Sequence, residues 1–196
     1  MSIAKNPLYP IFLKMDRLQI LIVGAGEVGH EKLSFLLKSS PNAKITIIAP
    51  WVSSEVEDLL LLFHDQVQIQ KRPFHHTDVI DHHIVVAATN INEVNQSVYC
   101  AAKRYGKIVN VADTPDLCDF YMGSIVTKGD LKVAISTNGK SPTFAKRFRQ
   151  LLEAVLPDET NDLVNNLKVI RDRLRGNFTY KVKELNKITQ TLVEHE

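Results

Sequence analysis

Cysteine is nearly absent: Cys100 and Cys118 are the two in 196 residues. Two thiols make neither a disulfide framework nor a metal cluster, and they predict a reducing cytoplasm as the setting. No apolar run approaches the roughly 18–20 residues that cross a bilayer as a helix, so a membrane-spanning reading is excluded. Pro7 and Pro10 stand where a secretory leader needs its apolar core, and export is not expected. A large charge of either sign is also lacking. Twenty-four Lys and Arg against twenty-two Asp and Glu leave a formal +2. That balance argues against general nucleic-acid binding and leaves only a local basic patch for an anionic partner. No internal repeat or low-complexity tract is present.

What remains is a globular composition, 44% hydrophobic and 23% charged. At roughly 150 residues per domain the length suggests one domain, or one with a smaller appendage. Leu18-Gln-Ile-Leu-Ile-Val23 is a short apolar run ending in glycines, as in a strand buried in a parallel sheet. Residues 27–38 follow as a helix, with Val28, Leu33, Phe35, Leu36 and Leu37 largely on one face, and Ser39-Ser40-Pro41 stops it. Ile45-Thr-Ile-Ile48 is a second strand closed by Pro50. Ser53 and Ser54 can cap the helix running through Val56 and Leu59 to Phe63. Strands at 67–70, 84–88 and 107–111 and a helix at 92–105 complete the first part. Such alternation marks an α/β fold, a Rossmann-type parallel sheet with right-handed crossovers.

The alternation stops near Asp113. Residues 113–123 read as loop. Ser124-Ile-Val-Thr127 and Leu131-Lys-Val-Ala-Ile-Ser136, joined across Lys128-Gly-Asp130, read as a hairpin. From Ser141 the chain reads as helical, with breaks at Pro157 and Gly176-Asn177. The expected organisation is a Rossmann domain over 1–112, a hairpin region over 113–145 and a small helical domain over 146–196.

Gly24-Ala-Gly26-Glu-Val-Gly29 directly follows the first strand and opens the first helix. A G-x-G-x-x-G run alone is weak, but this strand–turn–helix setting is the one in which it binds a dinucleotide. Gly24 permits the tight turn, Gly26 lets backbone approach a pyrophosphate, and Gly29 allows close helix–strand packing. The free amides of Glu27, Val28 and Gly29 then face the phosphates. One part is missing. The acidic residue that usually holds the ribose at the end of the second strand is replaced by Ala49-Pro50-Trp51. Backbone around Pro50 and Trp51, or the hydroxyls of Ser53 and Ser54, must hold the ribose instead. No arginine stands there for a 2′-phosphate, which favours NAD over NADP. Thr89 and Asn90, after the fourth strand, are placed to line the cofactor or to make an ordinary turn. Asn110 and Asp113 bracket the end of the fifth strand, where nicotinamide and substrate would meet.

Tyr9-Pro-Ile-Phe12, the glycine loop, Ala87-Ala-Thr-Asn90 and Asn110-Val-Ala-Asp113 occur in order. Phe120-Tyr-Met-Gly-Ser-Ile125, Val133-Ala-Ile-Ser136 and Gly139-Lys-Ser-Pro142 follow them. Together they resemble the precorrin-2 dehydrogenase family, the N-terminal half of bifunctional siroheme synthases, closely over residues 7–155 and more loosely to Arg175. The resemblance implies NAD-dependent oxidation of precorrin-2 to sirohydrochlorin in sirohaem biosynthesis, by a homodimer whose cleft holds the active site. Some members also insert ferrous iron as sirohydrochlorin ferrochelatases, which stays open for this chain. No methyltransferase activity is expected of it. The family's catalytic aspartate matches Asp113, read from residues alone as either a general base or a turn-former beside Pro115.

A substrate with many carboxylates calls for cations. Lys140, Lys146, Arg147 and Arg149 gather at the start of a helix capped by Ser141, with Pro142 at its first position. Thr137, Lys140, Ser141, Lys146 and Arg147 are the substrate-binding candidates, against the alternative of a merely solvated face. Phe144, Phe148, Leu151 and Leu152 are expected to face the core. His75-His76 and His82-His83 lack a spaced third ligand, and no metal is expected there. Cys100 is expected to be a small buried hydrophobe, and Cys118 an exposed bystander. A regulatory domain that binds NAD without chemistry is the rival function; it would need neither Asp113 nor the basic helix.

Overall fold

The computed structural model describes residues 6–190. The continuous apolar runs become the strands of one parallel sheet: β1 (Gln19–Val23), β2 (Lys44–Ile48), β3 (Val67–Gln70), β4 (Ile84–Ala87) and β5 (Ile108–Val111). Their order is β3-β2-β1-β4-β5, and every pairing is parallel. Helices cover both faces, which is why β1 and β4 lack the polar alternation of a half-solvated sheet, while the edge strand β3 keeps it as Val-Gln-Ile-Gln. Ile20, Ile22, Ile45, Ile47 and Val86 point to one face, against Leu33 and Leu37 of α1 (Glu27–Ser39) and Val56 of α2 (Ser54–Leu62). Leu21, Val23, Val85, Val109 and Val111 point to the other, against Val98, Ala101 and Ala102 of α3 (Asn92–Arg104).

Two helical phases differ from expectation. Phe35 of α1 is exposed because Gly29, Leu33 and Leu37 form the inward row. Cys100 is exposed, since the buried row of α3 is Asn95, Val98, Ala101 and Ala102. Ser53 is the N-cap of α2, its hydroxyl accepting from Val56 N–H at 3.4 Å.

The chain divides into two compact units. Residues through Met122, with Asn138–Lys140, make the sheet unit. The second comprises Gly123–Thr137 and residues from Ser141 onward. It holds the antiparallel pair β6 (Ser124–Lys128) and β7 (Leu131–Ile135), then α4 (Pro142–Val155), α5 (Thr160–Arg173) and α6 (Phe178–Ile188). Val126, Ile135 and Ala145 form a small core with Val133, Leu152 and Leu156 packed against it. The expectation for α4 therefore holds only for Leu152. Phe144, Phe148 and Leu151 are exposed, as is Val155, because a two-stranded sheet offers α4 room for one narrow row. None of the helices among the described residues is long and apolar enough to cross a membrane.

Candidate cofactor and active site

In an open parallel sheet, ligands bind beyond the carboxyl ends of the strands, where connections leave in opposite directions. Here that point lies beside β1. A cavity of about 730 Å³ opens there, between the glycine loop and the segments after β2, β3 and β4. Gly24, Gly26, Glu27, Val28, Pro50, Trp51, Thr89 and Asn90 all line it, so the candidates from three separate loops converge on one space.

The glycine loop has the shape its residues imply. Gly24 sits at φ +109°, and a Cβ there would collide with the Ala88 carbonyl. A Cβ on Gly29 would strike the carbonyl of Gly24, so this residue sets the contact between α1 and the turn rather than facing a ligand. At Gly26 a Cβ would meet the Trp51 ring at 3.8 Å, on the side where a dinucleotide's backbone would lie. Gly26 is also the N-cap of α1 and has no side chain to occupy the first amides. Those amides, the positive end of the helix and a cavity of cofactor size fit the pyrophosphate of a dinucleotide.

Three buried polar residues stand among the described residues, Ser53, Asn95 and Asn110, and each fixes a different loop at this edge. Ser53 donates its N–H to Ala25 O at 2.9 Å, and its hydroxyl caps α2. It is thus committed within the protein. Of the groups expected at the ribose, Pro50 and Trp51 line the cavity and Ser53 and Ser54 do not. Asn95 was not foreseen. Its Oδ1 accepts from Thr89 N–H at 3.1 Å and lies 2.8 Å from Thr89 Oγ1, while its Nδ2 donates to Thr89 O at 2.9 Å. The signal was an asparagine in the inward row of an otherwise apolar helix face.

Pro73 and Phe74, also unforeseen, line the cavity beyond β3. A bidentate pair holds their segment: Arg72 places Nη1 and Nη2 each 2.8 Å from an oxygen of Asp78. Burial alone would raise the Asp78 carboxyl, but Arg72 and the His75 N–H at 2.7 Å outweigh it and hold the group below its usual range. Three of the paired histidines make hydrogen bonds within the fold. His75 Nδ1 lies 2.8 Å from Thr77 Oγ1, His82 Nδ1 meets Asp78 O at 2.7 Å, and His83 Nδ1 accepts from Gln19 N–H at 2.9 Å.

Beyond β5 lies the loop of Asp113. This residue is exposed and adopts φ +57°, a left-handed conformation that is uncommon outside glycine and recurs at functional sites. Neither Asp113 nor Asn110 lines the cavity of the glycine loop. Asn110 acts from beneath: its Nδ2 donates to Phe120 O at 2.8 Å. Cys118 is not an exposed bystander. It is half-buried, and its sulfur accepts from Val111 N–H at 3.3 Å.

The remaining candidates lead into α4. Ser141 is its N-cap, accepting from Phe144 N–H at 3.2 Å, and its own N–H is received by Thr137 Oγ1 at 3.1 Å. Lys140, Lys146 and Arg147 are exposed. Arg149 instead pairs with Glu153 at 2.6 Å along the helix.

A five-stranded doubly wound sheet with this glycine loop defines the class: a dinucleotide-binding protein of Rossmann type. Residues 11–124 match the family described as putative NAD(P)-binding, and residues 128–154 match the sirohaem biosynthesis protein central segment. The chain belongs to this putative NAD(P)-binding family, and the cavity beside its glycine loop is the site for a nicotinamide cofactor. It is 36% identical over 176 residues to a siroheme synthase of Nitrosomonas europaea, covering 88% of this chain and 36% of the relative. A siroheme synthase of Methylococcus capsulatus is 38% identical over 166 residues, covering 85% and 34%. The chain thus spans about a third of the length of these curated relatives. The solved structure of SirC, a precorrin-2 dehydrogenase, superposes with a TM-score of 0.72 at 25% identity, over 92% of this chain and 89% of that one.

Proposed function

We propose that the protein is an NAD-dependent precorrin-2 dehydrogenase, oxidising precorrin-2 to sirohydrochlorin on the route to sirohaem. One observation carries the reading. A chain that matches a precorrin-2 dehydrogenase over nearly its whole length presents a carboxylate, Asp113, in a left-handed turn at the end of β5, the neighbour of the strand β4 whose end lines the dinucleotide cavity. The reaction removes a hydride and a proton from the substrate. Bound nicotinamide supplies the hydride acceptor. Asp113 is the base: its carboxylate takes the proton. Gly24, Gly26 and the amides of Glu27 and Val28 hold the pyrophosphate, while Pro50, Trp51, Thr89 and Asn90 flank the rest of the cofactor. Glu27 and Glu93 are the charged residues lining the cavity, with no cation among the lining residues to receive a 2′-phosphate, which favours NAD over NADP.

Thr137, Lys140, Ser141, Lys146 and Arg147 serve the substrate's carboxylates, with the N-terminal end of α4 adding its dipole. The working form is a homodimer. Phe144, Phe148, Leu151 and Val155 recur along one face of α4 and are exposed in the single chain, Val155 to 65%. Among the described residues the hairpin β6–β7 likewise has no third strand. Both thiols are free, in keeping with a reducing cytoplasm.

The direct test is anaerobic incubation of the protein with precorrin-2 and NAD, followed by absorbance. Formation of sirohydrochlorin that requires NAD supports the reading. Cofactor binding without conversion returns the chain to an NAD-sensing role.

A further inference from the structure

Among the described residues, β5 is the outermost strand on its side of the sheet, with β4 as its one strand neighbour. The free edge of such a strand presents backbone groups that need partners. Here the loop that leaves β5 returns along that edge and supplies them, largely from side chains. Asp119 N–H donates to Val109 O at 2.8 Å, and Val109 N–H donates to the Asp119 carboxylate at 3.0 Å. Lys103 Nζ holds the other oxygen of Asp119 at 2.7 Å. Two residues along, Val111 N–H donates to Cys118 Sγ at 3.3 Å, and the thiol reaches Val111 O at 3.2 Å, with Thr114 O at 3.4 Å. Asn110 Nδ2 also donates to this sulfur, at 3.4 Å. The thiol therefore stands where a neighbouring strand would place its own N–H and C=O. Ala112 and Asp113 bridge the two ends of the clasp, and a left-handed aspartate persists only where its surroundings impose it.

We propose that Cys118 is a positioning residue for Asp113, its thiol closing the loop after β5 as a surrogate ladder partner and so aiming the carboxylate. The inference rests on Asp113 acting as the base. Burial pushes the Cys118 thiol up, which preserves the hydrogen given to the backbone.

Cys118→Val keeps much of the volume and removes every sulfur bond; Cys118→Ser keeps a donor and an acceptor. Each is assayed for kcat, KM, NAD affinity by Trp51 fluorescence, melting, and hydrogen exchange at the Val111 amide. Cys118→Val should lower kcat by about tenfold or more, as misplacement of a reacting group does, and speed Val111 exchange. NAD affinity should stay unchanged, and Cys118→Ser should restore most of kcat. In Asp113→Asn, adding Cys118→Val should cost little more, because both changes act through one carboxylate. Unchanged kcat and exchange in Cys118→Val overturns the proposal. So does a loss that Cys118→Ser leaves unrepaired, or that adds in full to Asp113→Asn. Should Cys118→Val fail to fold, Asp119→Asn and Cys118→Ser decide by the same readings. Should Asp113→Asn turn over normally, the base reading falls, and the loop clasp stands or falls on Val111 exchange alone.

Discussion

Gly26 carries the cofactor reading at the scale of single residues. Any side chain there would grow beside the Trp51 ring into the space for the pyrophosphate, and a carboxylate would add repulsion. Gly26→Asp should weaken NAD binding at least about tenfold, roughly 1.4 kcal/mol, with melting nearly unchanged. Trp51 reports this directly, being the sole tryptophan, exposed to 66% and part of the cavity wall. Equal affinity in the folded variant would remove the glycine loop from the site. The loop was legible in the sequence because glycine has few other uses at that spacing after a strand. The two cysteines were not. Their burial depends on helix phase and on a loop's return path, and the inward Asn95 disguises the phase of α3 by putting a polar residue in the buried row. Asn95 itself went unread for the same reason.

Single elements explain what was legible and what was not. Strand β4 is apolar at every position, and β1 at every position after Gln19, because helices cover both faces, so their place was plain from sequence. α4 has an equally clear apolar stripe, but a stripe says that something is buried and does not say against what. The segment after β3 carries no motif in the sequence, yet its Arg72–Asp78 pair sets the Pro73-Phe74 wall of the cavity. Its pH dependence follows from the sign of the shift. Asp78 titrates lower when folded than unfolded, so the stability it adds is full above the usual carboxylate range. That stability is lost as pH falls through the lowered value. His82 works in the same direction at higher pH: burial lowers it from 6.5, so folding weakens as pH drops below about 6.5 and the unfolded imidazole charges first. Melting curves from pH 8 to pH 3 should therefore show two declines. Asp78→Asn should flatten the lower one and His82→Gln the upper one; a parent whose melting is level across this range would contradict both assignments.

At the scale of the whole molecule, the sheet unit accounts for cofactor binding, and the second unit carries an exposed apolar helix that a single chain leaves bare. Phe148→Asp places a charge in the middle of that stripe, beside Phe144 whose ring stacks on it at 5.9 Å. Sedimentation equilibrium at micromolar concentration should find a dimer for the parent and a monomer for the variant, with the sheet unit still binding NAD. A monomeric parent would contradict the assembly. If Asp113 takes the proton while the glycine loop holds the cofactor elsewhere, anaerobic turnover of precorrin-2 by Asp113→Asn must part from its NAD affinity. The variant's kcat should be lower by about 10²–10⁴-fold, the range for loss of a general base, with NAD affinity and melting as in the parent. Turnover at the parent's rate would contradict Asp113 as the base.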